Sequence, residues 1–128
     1  MRARRADELE ALLAGHDGPV LLCAPDVPGL SQHHLDSARD DLAAGVLLTS
    51  APAAGDGSPF VVAMARPEPR LLALVGAPFE EVAAAAVALG GELGMLRPER
   101  RLASLADARA LRADPLAPPE LRALLARI

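Results

Sequence analysis

Tryptophan, tyrosine and lysine are missing from this sequence altogether, phenylalanine occurs twice and cysteine once. So few flat side chains leave nothing on which exposed bases could stack, which argues against recognition of RNA or single-stranded DNA. Arginine carries the positive charge and the formal net charge is −4, so no basic field draws phosphate backbones and no nucleic-acid partner is expected. The early cluster Arg2, Arg4, Arg5 gives way at once to Asp7, Glu8 and Glu10 and reads as a solvated helix start. A single cysteine excludes an internal disulfide and any multi-cysteine metal site. Long apolar runs are also missing. The longest, Val82 to Leu89, falls short of the ~20 residues a bilayer span needs. No early apolar run resembles a signal peptide, so the default reading is a cytoplasmic chain without a membrane partner.

What is present suits one domain over residues 1–128, long enough for a real core. At 52% hydrophobic and 2% aromatic, that core must be leucine, valine and alanine. The chain is organised around Pro19 to Leu30. Val20 to Cys23 is a short continuous apolar run, which predicts a strand buried on both faces of a sheet. Ala24-Pro25-Asp26-Val27-Pro28-Gly29 is a rigid turn, and Ser31 is placed to cap the next helix. Asp26 therefore lies beyond the carboxyl end of a strand, where open α/β sheets bind ligands. The plainer alternative is a turn aspartate bonded to its own backbone. Cys23 reads as a small buried hydrophobe rather than a nucleophile.

Taken in order, Ala3 to Ala14 predicts a helix, with Leu9, Leu12 and Leu13 at helical spacing and Gly15 ending it. His16 falls in the loop that follows. Gln32 to Ala44 predicts a second helix closed by Gly45. His33 and His34 in its first turn point a quarter-turn apart, so they cannot easily share a metal; they read as solvated, or as facing the Asp26 crevice. Val46 to Thr49 predicts a strand, Ser50 to Pro59 a long loop containing Gly55-Asp56-Gly57, and Phe60 to Ala65 a further strand. The loop is either functional or a tight Asp-Gly turn. Pro67 to Val75 and Pro78 to Leu89 predict helices, the second with Glu80 and Glu81 at its positive end. Leu93 to Leu96 predicts a strand, Arg97 to Arg101 a charged loop, Ser104 to Arg112 a helix, and Pro118-Pro119 the start of the last helix. Strands alternating with helices give an α/β layered, mostly parallel sheet.

The order of these motifs resembles bacterial glycosyltransferase-A-like proteins, the uncharacterised radical-SAM/selenodomain-associated transferases. It is more loosely similar to nucleotidyltransferases of the same fold. The resemblance rests on Gly18-Pro19 before the strand, on Ala24-Pro25-Asp26-Val27-Pro28-Gly29-Leu30, and on Asp56-Gly57-Ser58-Pro59 before an apolar run. It continues through Leu89-Gly90, Arg97-Pro98, and Arg101 to Ala108. It covers nearly the whole chain, and it implies a nucleotide-diphospho-sugar transferase-like fold that begins about one β-α-β unit late.

In that fold the aspartate after the strand holds Mg²⁺ or Mn²⁺ against a nucleotide diphosphate, so the resemblance gives Asp26 a metal role. Asp56 inherits an acceptor-side or catalytic position. The departures are as informative. The basic, glycine-rich nucleotide loop is missing, and the family's later Asp-x-Asp reads Arg101-Leu102-Ala103. Two functions follow as expectations. One is a degenerate domain that is non-catalytic alone and serves binding or interaction. The other is a metal-dependent glycosyl- or nucleotidyltransferase whose nucleotide loop comes from a partner. In the family that this chain resembles, Val20 to Cys23 lies beside strands missing here, which implies an unpaired apolar edge or a bare sheet face, and hence a homodimer or a partner protein that completes the sheet.

Overall fold

The computed structural model describes residues 8–74 and 76–127. Of the first expected helix, residues 8–12 are helical and residues 3–7 lie outside the described residues. The elements that follow are β1 (Val20–Cys23), α1 (Gln32–Ala43), β2 (Leu48–Ala54), β3 (Pro59–Met64), α2 (Pro69–Leu72) and α3 (Phe79–Ala88). After them come β4 (Leu93–Met95), β5 (Glu99–Arg100), α4 (Leu105–Ala113) and α5 (Pro119–Leu125).

The sheet runs β1-β3-β2-β4, with β5 joined to the far end of β2. β3 lies antiparallel to both β1 and β2, whereas β4 and β5 lie parallel to β2. Four strands therefore point one way and β3 points the other, a mixed sheet with helices on its faces. Val20, Leu48 and Met64 pack on one face with Leu71, Leu72 and Val82. On the other face Ala51, Val61 and Ala63 pack with Ala38 of α1. α1 covers β2 and β3.

That placement corrects the reading of β1. Its burial alternates: Val20 is buried, Leu22 is half-buried, and Leu21 and Cys23 are exposed. A short apolar run looks the same whether its strand is central or at an edge. Among the described residues β1 is at the edge, with β3 as its paired neighbour, and its second face, at Leu21, lines a groove with Leu35 and Leu42 of α1. The truly two-faced apolar strand is β3, where Val61, Ala63 and Met64 are all fully buried.

The expected loop from Ser50 to Pro59 is mostly strand. β2 continues to Ala54, and residues 55–58 form a tight hairpin turn. Small and polar residues there imitate loop composition, but each is accommodated. Ser50 Oγ donates to the Val61 carbonyl at 2.7 Å. Thr49 Oγ1 donates to Asp41 Oδ2 at 2.9 Å. Pro52, which has no N–H for the ladder, sits where the register shifts in a bulge. Within Arg97 to Arg101, Glu99 and Arg100 form a short ladder with Ala53 and Ala54 instead of a loop. Backbone pairing at the end of a strand is indifferent to the charge of side chains that point away from it.

Candidate functional site

Asp26 follows β1 and lines a cleft of about 420 Å³ with Leu22, Phe60, Val62 and Val82. Its backbone carbonyl accepts from the Leu102 N–H at 2.7 Å, which brings the segment after β5 against the end of β1. Arg101 is thereby carried to the Asp26 side chain, where Nη1 donates to Oδ1 at 2.6 Å. The rest of the guanidinium is also engaged. Nε donates to Ser58 Oγ at 3.1 Å, and Nη2 donates to the Pro59 carbonyl at 3.0 Å. One arginine therefore ties the end of β1 to the β2–β3 hairpin.

Asp56 occupies that hairpin. Its Oδ1 accepts from the Ser58 N–H at 2.9 Å and from Ser58 Oγ at 2.8 Å. Gly55 and Gly57 on either side have φ of 107° and 72°, a region that side-chain-bearing residues avoid. The Ser58 backbone bond, then the Ser58 hydroxyl, with a further contribution from Arg101, hold the Asp56 carboxyl below its ordinary pKa. Asp26 and Asp56 thus reach the same cluster through Arg101 and Ser58.

The two histidines separate. His33 is exposed and His34 is buried. His34 is not solvated as the sequence suggested: Nδ1 accepts from the Ser31 N–H at 3.3 Å, while Nε2 lies 3.1 Å from the Arg97 carbonyl and donates to it. Its ring meets Phe60 edge-on at 5.7 Å between centroids. Both histidines line a cleft with Ser37 and Asp41, away from the one at Asp26. Cys23 also departs from expectation, as an exposed free thiol. The apolar atoms packed along one side of it push its pKa up, so it remains protonated and poorly nucleophilic near neutral pH.

The donor set does not fit the divalent ion that the resemblance implies. Asp26 Oδ1 is occupied by Arg101. Among the described residues no three His, Cys, Asp or Glu side chains come together as metal ligands. Sequence reasoning recognised Arg101 as a departure from an acidic motif but missed its pairing with a residue 75 positions earlier. A cation standing where an acid was expected was the signal.

The structure is similar to a crystal structure of a putative nucleotide-diphospho-sugar transferase from Desulfovibrio desulfuricans G20, with a TM-score of 0.71 at 17% identity. The match covers 97% of this chain and 57% of that one. The fold is of the nucleotide-diphospho-sugar transferase type. At that identity the likeness describes architecture, and this chain spans little more than half of the transferase-like protein's length. No protein-family model matches the chain, and no curated protein does. Among the described residues, no helix is long and apolar enough to cross a membrane.

Proposed function

We propose that this domain of transferase-like fold is non-catalytic on its own and acts as an interaction module, pairing with a second copy of itself through β1. The observation that carries the proposal is the edge of the sheet at β1, which is unpaired among the described residues. The Ala24 N–H bonds the Phe60 carbonyl at 2.8 Å, which fixes the alternation of the β1–β3 ladder. Residues 20, 22 and 24 turn their backbone groups toward β3, so those of Leu21 and Cys23 face outward. Val20 to Cys23 carries no charge. An antiparallel copy centred on Leu22 would therefore set Leu21 opposite the partner strand's cysteine without like-charge repulsion. Beside this edge, Leu21, Leu35 and Leu42 line an apolar groove of about 600 Å³.

Light scattering across a wide concentration range tests the pairing. The expected result is a mass of two chains that falls to one on Leu21→Lys. A single-chain mass at every concentration would overturn it, and so would a sheet edge occupied only when a different protein is supplied. The second reading is a metal-dependent transferase completed by a partner chain. It draws support from the position of Asp26 at the carboxyl end of a strand. Arg101 on the same carboxylate weighs against it.

A further inference from the structure

We propose that Arg101 is the resident cation of the Asp26 site. Its guanidinium spans three oxygens at the end of β1 and the β2–β3 hairpin, and it closes Asp26 to a divalent metal ion. This inference does not depend on the association through β1.

The cradle consists of three oxygens of different chemistry. The Asp26 carboxylate, the Ser58 hydroxyl and the Pro59 carbonyl lie 2.6, 3.1 and 3.0 Å from three nitrogens of one guanidinium. Carboxylate, hydroxyl and carbonyl oxygens are the donors that hard cations such as Mg²⁺, Mn²⁺ and Ca²⁺ select. A second carboxylate stands behind them. Asp56 accepts the Ser58 hydroxyl proton, which directs that oxygen's lone pairs at Arg101 Nε. Two acids therefore converge on one cation, directly from Asp26 and through Ser58 from Asp56.

A metal ion and the guanidinium exclude each other here. An ion coordinated by either Asp26 oxygen would stand beside a like charge and meet its repulsion. A guanidinium is weakly hydrated, and its tether to the chain spares it the loss of translational freedom that a free ion undergoes on binding. The pair is only part-buried, with Arg101 and Asp26 side chains 22% and 34% exposed. The exclusion therefore rests on occupancy of the oxygens and not on a sealed interior.

Arg101→Glu tests the proposal. The glutamate carboxyl carbon falls where the arginine Cδ stood, two bonds short of the guanidinium carbon, so a second carboxylate faces the vacated cradle. Melting is followed by far-ultraviolet circular dichroism, with Mn²⁺ or a chelator as the only additive. The wild-type midpoint should not respond to Mn²⁺. Arg101→Glu should melt lower in chelator and gain roughly 5 °C or more with saturating Mn²⁺. That gain should vanish in the Asp26→Asn/Arg101→Glu double variant. If Arg101→Glu is unfolded without metal, refolding on Mn²⁺ addition is the same positive result. Water-proton relaxation gives a second readout, in which the variant should bind Mn²⁺ at least about tenfold tighter than wild type. The proposal is overturned if wild type binds Mn²⁺ as tightly as the variant in an Asp26-dependent way. It is equally overturned if Mn²⁺ leaves the variant as unstable, or as unfolded, as it was.

Discussion

His34 shows how much one buried polar side chain can organise. It receives the Ser31 N–H at the start of α1, holds the Arg97 carbonyl beyond β4, and meets the edge of Phe60. Truncation would leave a cavity and strand the Arg97 carbonyl, two costs that act together. His34→Ala should lower the unfolding free energy by about 3 kcal/mol, read from urea denaturation by circular dichroism because the chain lacks tryptophan. Exposed His33→Ala should change little. Asp56 makes a different, pH-linked contribution. Its folded pKa lies below the unfolded value because the folded chain stabilises the carboxylate. The stabilisation is present above the unfolded value, near pH ~4, and disappears as pH falls through the folded one. Asp56→Asn, uncharged throughout, should flatten that acid limb of the stability profile. The effect is small, because the turn is exposed and solvent screens it.

At the scale of elements, the close seating of β4 on β2 is set by glycine. A Cβ at Gly94 would stand 2.6 Å from Asp41 Oδ2 and 2.8 Å from Thr49 Oγ1, inside the bond that joins α1 to β2. Gly94→Ala should therefore cost about 2 kcal/mol and weaken the β4 ladder, seen as faster amide exchange at Leu96, whose N–H donates to the Ser50 carbonyl at 2.8 Å. Most of this layer was legible in the sequence. Val20 to Cys23 and the α1 segment agree with the structure almost residue for residue, because apolar periodicity, Ser31 and Gly45 mark their limits. The Ser104 cap was legible for the same reason, and its Oγ accepts the Asp107 N–H at 3.1 Å. The β2 extension was not. Ser50, Ala51, Pro52 and Ala53 have loop-like composition, and only cross-strand partners such as the Val61 carbonyl make them a strand. Asp26 was legible as a position. Its partner was not, since a contact across 75 residues leaves no local pattern.

Across the whole molecule the two sheet edges differ. β1 presents an apolar strand between Pro19 and Pro25, free of charge and, among the described residues, open along one side. Leu21 is 41% exposed there. The opposite edge, β4, is three residues long. A two-fold pairing through β1 would merge two sheets into one and remove the longer edge from both copies. Leu21→Lys acts at this level, since it leaves the core face of β1 intact and should change assembly without changing the fold. The asymmetry of the edges also bears on how far such growth can go. Head-to-tail addition would have to seat each new β1 on the short β4 ladder, whereas a symmetric pair hides its stickier margin and stops at two. A chain built this way is steered away from open-ended filaments by the brevity of a single strand.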